Sequence, residues 1–361
     1  MPAALLRDRS GMALILTLLA ISFLVAITVR LSTSVNQQMQ AAANQSTAVR
    51  LDAMLLSGLN FARAALLADQ QENKNDEDTS DSQFDRWGAI DSALLSQFFS
   101  GTLDITVTDL SGRLQANALV WTNKEKQEWK KKQTGKNKKK DMEKLQRSLW
   151  KRFLLLENLG FESSDGNIDE DQAAIMLDSL VDWLDPDDEQ KENGAEKQYY
   201  SSLNSPYVPT NGPMPLIEDL VLVKGWEYEI LYKKIKSNAK NPASLIAYLT
   251  NGEQPGMVNI NTAPLPVLQA LHDEMTEELA ADLVSFREEE DNKELLKKAT
   301  WYRNVPSFPG NITFDQSLIT TKSNLFKITV IAADKGLQRT GEGVIQRKEN
   351  QEQVLLYWKI Q

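Results

Sequence analysis

At 361 residues the chain has room for one large domain or two ordinary ones. Its 42% hydrophobic and 25% charged content excludes wholesale disorder, and a formal charge of −10 argues against nucleic acid as a partner. Cysteine is absent and His272 is the single histidine, which excludes disulfides, thiol catalysis, cysteine-based zinc, histidine-based triads and multi-histidine metal centres, and leaves hard, oxygen-ligated cations open.

The chain opens on a short leader, MPAALLRDRSG, that carries Arg7 and Arg9. An uncharged apolar run, Met12 to Val29, follows Gly11 at once. As a helix this run spans ~27 Å, close to the ~30 Å hydrocarbon core of a bilayer. The cationic leader predicts a cytoplasmic N-terminus and a C-terminal bulk outside. Ser32, Thr33 and Ser34 follow Leu31, but no A-x-A-like box ends the run and the helical pattern continues. Three readings fit the residues: an uncleaved single-span anchor, a cleaved secretory signal, and a prepilin-type leader cut after Gly11 on the cytoplasmic face.

From Met12 to about Asp69 the spacing predicts one helix, free of proline, with Gly58 the only glycine after Gly11. Val49, Met54, Leu56, Leu59, Ala62 and Leu66 mark the stripe expected to pack on a domain. Gln71–Ser82 is acidic, lacks apolar residues and reads as a loop. Leu103–Leu110 and Arg113–Val120 alternate around Ser111-Gly112, which predicts a hairpin. Lys124–Lys144 is lysine-rich and reads as a solvated helix pair or insertion, with anionic lipid or nucleic acid as the functional alternative. Ser148–Asp185 is helical, with Asp169 or Asp171 as its cap; prolines punctuate Asp185–Pro215, and a short helical segment covers Ile217–Leu222. Strand patterns return at Phe326–Ala332, Gly341–Arg347 and Val354–Ile360. Strands at both ends with helices between predict one β-sheet interrupted by a helical insertion.

Three stretches carry candidate chemistry. In Val181–Tyr200 the carboxylates Asp182, Asp185, Asp187, Asp188 and Glu189 cluster where a helix ends at Pro186, and Glu196 can return after the turn at Asn193-Gly194. Asp178, Asp182 and Asp185 share a helix face. Carboxylates this close repel unless a cation such as Ca²⁺ relieves them; a solvent-screened acidic turn is the plainer reading. Asp165–Met176 begins like an EF-hand loop at Asp165, Asn167 and Asp169, but Glu170 stands where the turn glycine belongs and Met176 where the bidentate glutamate belongs, so it reads as a helix N-terminus. Val258–Arg287 has the outline of a helix-hairpin-helix, yet its turn, His272-Asp273-Glu274-Met275, has no glycine and two carboxylates that repel phosphate. That segment keeps a structural role, with no nucleic acid as partner.

Taken together, the chain resembles the K-type minor pseudopilins of the type II secretion system, the general secretion pathway protein K family. The residues that carry the resemblance are Gly11 before the apolar helix, Gly112–Leu119, Asp182–Tyr200, Ser205–Trp226 and Val258–Leu271. It implies an α+β pseudopilin fold, a long N-terminal helix on an antiparallel sheet with a large α-domain inserted between strands. The expected boundaries are a leader at 1–11, a transmembrane and pilin helix at 12–70, the sheet at 71–120 and 321–361, and the insertion at 121–320 with the degenerate helix-hairpin-helix at 258–287. Cleavage after Gly11 and methylation of Met12 by the prepilin peptidase are also implied, although phenylalanine is commoner where Met12 stands. Calcium is associated with the α-domain in the family, which points to Asp182, Asp185, Asp187, Asp188, Glu189 and Glu196 as candidate ligands. The implied partners are the I- and J-type minor pseudopilins, the major pseudopilin, the inner membrane, and secreted cargo or the secretin. Most pilins carry a glutamate at the fifth mature position, where it neutralises a neighbour's N-terminal ammonium; here that position is Leu16, which fits a subunit at the tip of the pseudopilus. The competing expectation is a single-pass, membrane-anchored periplasmic enzyme or sensor that uses the Asp-rich loop.

Overall fold

The fold is taken from a computed structural model that describes residues 10–72, 79–132, 141–159, 168–232, 243–252, 255–348 and 351–361. Helix α1 runs over Ser10–Glu72, 63 residues, which makes a rod of about 95 Å. Its two halves meet different surroundings. Every described side chain from Gly11 to Ser46 is exposed, and the most apolar 18-residue window has a mean hydropathy of 2.7. Beyond Thr47 the helix turns one face onto the protein body. Leu51, Met54, Leu55, Leu59, Ala62 and Leu66 are buried there, each at helical spacing from the last. Burying a leucine contributes ~1.5–3 kcal/mol, so this stripe is the main fastening of the rod. Val49 and Leu56, expected in that stripe, point outward instead, because they lie roughly 100° or more around the helix from it. Gly58 faces the sheet where a methyl group would meet Val330 Cγ1 at 2.6 Å, so the close approach of rod and sheet depends on it.

The remaining elements follow in chain order. They are α2 (Ser92–Ser96), β1 (Thr102–Asp109), β2 (Leu114–Gln115), α3 (Asn123–Lys132), α4 (Met142–Leu154) and α5 (Glu170–Leu184). Then come α6 (Lys197–Ser201), α7 (Tyr228–Tyr232), β3 (Leu249–Thr250), β4 (Val258–Asn259), α8 (Leu265–Gln269) and α9 (Glu277–Glu288). The chain ends on β5 (Ile319–Thr320), β6 (Leu325–Asp334), β7 (Leu337–Arg347) and β8 (Gln353–Ile360).

The principal sheet is antiparallel in the order β1-β6-β7-β8, and α1 packs on one face of it. Alternation decides which side chains meet the rod: Leu103 and Ile105 of β1 and Phe326, Ile328, Val330 and Ala332 of β6 point inward. The β1 edge is closed by side chains. Ser96 Oγ bonds both the N–H and the carbonyl of Leu103 at 2.9 Å, and Ser92 Oγ accepts the N–H of Ile105 at 2.9 Å, which blunts an otherwise free strand edge.

Because β1 pairs with β6, the expected hairpin over Leu103–Val120 does not form. After Asp109 the chain leaves the sheet. Leu114 and Gln115 pair in parallel with β3, and Ala116–Leu119 form a 3₁₀ turn buried in the helical body. Alternation over Arg113–Val120 reported burial there, and the partner strand was a distant one. The helical region therefore begins near residue 110 and returns near 324, wider than the expected 121–320. It has its own core, centred on Trp150, Trp183, Trp226 and Trp301, each at most 2% exposed. Trp150 and Trp226 meet edge to face at 6.0 Å, and Trp226 Nε1 donates to the Met176 carbonyl at 2.8 Å. Helices α8 and α9 pack together within the stretch 258–287 that has the outline of a helix-hairpin-helix, and Thr276 caps α9 by accepting from the N–H of Leu279. Lys136, Lys138, Lys139 and Lys140 of the basic stretch lie outside the described residues, as do Asp165 and Asn167.

A buried polar joint fixes the helical body to the sheet. Arg347 of β7, 6% exposed, pairs with Asp69 near the end of α1 at 2.9 Å and with Asp81; of the acidic stretch Gln71–Ser82, Gln71 and Glu72 belong to α1 and residues 73–78 lie outside the described residues. Its guanidinium also lies over the Phe326 ring at 4.4 Å. Asn259 of β4 donates to the Asp81 carbonyl, to Asp109 Oδ2 and to Ser323 Oγ. Asn261 reaches the carbonyls of Asp81 and Leu296 and accepts from Trp301 Nε1 at 2.7 Å. The Val-Asn-Ile-Asn run thus alternates apolar anchors, Val258 and Ile260, with polar fasteners, Asn259 and Asn261.

Candidate functional site

Two places in this fold concentrate the residues singled out in the sequence. The first is the free half of α1. Gly11, Met12 and Leu16 lie on its first turns, exposed, with no protein surface against them among the described residues. Leu16 is 63% exposed, an aliphatic side chain where the resemblance expects an acid.

The second is a carboxylate nest at the end of α5. Asp169 caps the start of that helix by accepting from the N–H of Gln172 at 2.8 Å, so the described part of the EF-hand-like stretch, from Ile168 on, is a helix N-terminus. At the other end Asp185 is the C-cap, its N–H donating to the Val181 carbonyl at 2.9 Å, and Pro186 prevents continuation. The chain then loops through Asn193-Gly194 and re-enters as α6. Gly194 is required there, because a Cβ would run into the Asp182 carboxylate, with Cγ at 2.7 Å.

This turn brings Asp185, Asp187 and Glu196 together, with one carboxylate oxygen of each within 4.8 Å of the others. Asp182 stands behind them, fully buried, and accepts the N–H of Lys191 at 3.2 Å. Asp188 faces away and accepts from Asn211 Nδ2 at 3.1 Å; Glu189 is exposed and outside the group. Asp178 belongs to a different contact, an ion pair with Arg147 and two hydrogen bonds from Asn193. Of the six candidate ligands, three converge.

The electrostatics of the nest are one-sided. Burial, followed by the charges of Asp182 and Asp185, pushes Glu196 up to about 7. Asp182 and Asp185 are also raised by burial, with Lys191 pulling each partly back. Burial pushes Asp178 up too, but its bonds from Arg147 and Asn193 outweigh that and hold it low. Neither oxygen of Glu196 has a hydrogen-bond donor among the described residues, and Asp185 Oδ1 also lacks one. Glu196 heads α6 without capping it, so its carboxylate is directed into the nest. Buried carboxylate oxygens without donors are costly, and hard oxygen donors in this number suit a calcium-sized cation. The donor set therefore fits the ion expected from the resemblance.

Sequence reasoning missed Lys191, which enters this nest, and the joint residues Arg347, Asp81 and Asn259. The signal available for Asn259 and Asn261 was polar residues alternating with valine and isoleucine, a pattern that also describes an ordinary half-exposed strand.

Models of the family described as type II secretion system (T2SS), protein K match residues 112–237 and 258–327, together more than half of the chain. This chain is a member of that family. It is 30% identical over 138 residues to type II secretion system protein K of Pectobacterium carotovorum subsp. carotovorum, a match that spans 37% of each chain. The fold matches a chain of the crystal structure of the GspK-GspI-GspJ complex from the enterotoxigenic Escherichia coli type 2 secretion system. The TM-score is 0.56 at 15% identity, covering 89% of this chain and 99% of that one. The α+β fold expected from the sequence, a long N-terminal helix on an antiparallel sheet with inserted helices, is the fold of this T2SS protein K member.

Proposed function

We propose that this T2SS protein K is a minor pseudopilin that sits at the tip of the pseudopilus. It would start assembly with I- and J-type minor pseudopilins, join the major pseudopilin below, and support protein export across the outer membrane. Prepilin peptidase cuts after Gly11 and methylates Met12; the apolar run Met12–Val29 lies in the inner membrane and the C-terminal domain in the periplasm. The protein works by assembly, without catalysing a reaction of its own.

One observation carries this reading. A rod of about 95 Å has a bare apolar half at one end and, packed on the other as far as Asp69, the sheet that carries the bulky helical body. A bare half that exposes leucine, isoleucine and phenylalanine needs lipid or other helices around it. A body at the far end obstructs a further subunit stacked above. Leu16 fits the same position, since it offers no carboxylate to the N-terminal ammonium of a newcomer. Mass spectrometry of the membrane-purified N-terminus tests the proposal: a species beginning at N-methylated Met12 is expected, and an intact Met1 refutes it.

We further propose that Asp185, Asp187 and Glu196 hold a structural Ca²⁺, which would supply the positive charge that the buried, donorless carboxylate oxygens lack. Melting curves of the full chain in detergent, with Ca²⁺ and with chelator, test this; equal midpoints refute the site.

A further inference from the structure

Lys191 stands in the same nest. Its Nζ lies 3.0 Å from Asp185 Oδ2 and 3.8 Å from Asp182 Oδ1, and its side chain is 40% exposed. It is thus the cation in contact with this nest among the described residues. Its ammonium reaches one edge only: among the described residues, Asp185 Oδ1 and both oxygens of Glu196 remain without donors. A single ammonium with three donors cannot cover a pocket of convergent carboxylates, whereas a divalent ion with six to eight ligand positions can.

The turn does not depend on this ammonium for its shape. Lys224 Nζ donates from another segment to the carbonyls of Asn193 and Gly194, at 3.2 and 2.9 Å. Gln190 Nε2 donates to the Gly194 carbonyl at 3.0 Å, and the main-chain N–H of Lys191 holds Asp182. The Lys191 side chain can therefore swing into solvent while its own backbone stays fixed. Arg147, the other nearby cation, is engaged by Asp178.

Resting on the calcium reading above, we propose that Lys191 is a built-in competitor of the divalent ion. Its ammonium occupies the Asp185 side of the nest when the ion is away and leaves when the ion binds. The lysine offsets part of the nest's negative charge while the ion is away and lowers the site's affinity, so that binding is a reversible response and not a permanent fixture.

Calorimetric Ca²⁺ titrations of the full chain in detergent test this, on the wild type, Lys191→Met and Lys191→Arg. Lys191→Met should bind ~10-fold or more tightly, because a like charge has been removed beside the ion, and Lys191→Arg should stay near the wild type. In chelator Lys191→Met should melt below the wild type, and saturating Ca²⁺ should close that gap. If the wild type binds and Lys191→Met binds no more tightly, the competition is refuted and the site stands. Should neither bind, the site itself fails and the competition with it. A measurement on the wild type alone guards against a variant that does not fold. Acylation of the Lys191 amine, read by mass spectrometry, should rise several-fold on adding Ca²⁺ while Lys224 stays protected; an unchanged Lys191 signal at saturating Ca²⁺ overturns the proposal.

Discussion

Replacing Arg347 by methionine tests the claim that one guanidinium fastens the rod, the sheet and the helical body. The side chain is 6% exposed and pairs with two carboxylates, Asp69 and Asp81, that are themselves 6–7% exposed. It also donates to the Ser323 carbonyl at 2.9 Å and lies over Phe326. Methionine restores much of the volume and none of the charge. Removing one partner of a buried pair costs ~3–5 kcal/mol, because the other is left uncompensated. Here two carboxylates are left, and partial protonation sets a ceiling, so we expect about 4 kcal/mol at pH 8. That corresponds to a fall of roughly 6 °C in melting temperature for a body of this size. The pH dependence follows from linkage. Burial already raises Asp81 to about 6 against an ordinary 3.8, even with Arg347 pulling it down. A carboxyl raised in the folded state contributes stability that is present below pH ~4 and lost as pH climbs through the folded value. Without Arg347 the folded values of Asp81 and Asp69 rise further and that loss extends to higher pH. The deficit of Arg347→Met should therefore be small at pH 5 and full at pH 8. Thermal melts of wild type and variant across that range decide the matter. A deficit below ~1 kcal/mol at pH 8, or one that does not grow between pH 5 and pH 8, refutes the reasoning.

The neighbouring Asp85 carries the opposite expectation. Burial, with Asp69 and Asp81 nearby, lifts it to about 7, so Asp85→Asn should stabilise the protein by about 2 kcal/mol above pH 7 and change nothing near pH 4. An effect equal at both pH values in the same melts would show that the hydrogen bond to Ser82, and not the charge, matters there. At the nest, Glu196→Gln should leave the chelator-treated protein at least as stable as the wild type, since it removes a buried carboxylate without a donor, and should abolish the Ca²⁺-dependent rise in melting temperature; a preserved rise excludes Glu196 as a ligand. In the membrane helix, Leu16→Glu should still insert and should add little to tip assembly. Its appearance along the pseudopilus shaft, by cross-linking, would mean that the helical body is not what confines the subunit to the end.

What the sequence revealed follows from how local each signal is. The apolar run, the cap at Asp169, the stop at Pro186 and the C-terminal strands all depend on residues a few positions apart, and all stand where their patterns placed them. The hairpin failed because alternation reports burial without naming the partner strand: β1 pairs with residues more than two hundred positions away. Val49 and Leu56 failed for a related reason, since a helix in which most positions are apolar or small does not fix its own inward face until the sheet selects one. In the nest, the composition pointed to a cluster, but which carboxylates converge depends on the return at Gly194 and on Asn211 drawing Asp188 away. Lys191 was one lysine among many until the turn placed its amine against Asp185.

The position of the joint explains how a large insertion can act with the rod. Strands β1 and β6 are neighbours, so the insertion leaves and re-enters the sheet at adjacent points about 5 Å apart. An insertion held by two such closely spaced strands is free to swing unless something bridges them. The bridge lies at that gap: Asp109, the last residue of β1, accepts from Ser323 Oγ just before β6 at 2.5 Å, and Asn259 from inside the insertion bonds both. Arg347 then ties the same cluster, through Asp81 and Asp69, to the end of α1. Force or displacement applied to the helical body therefore reaches the rod through a buried, hydrogen-bonded block and not through a flexible link. In the tip position proposed above, that coupling would let contacts made by the helical body be felt along α1.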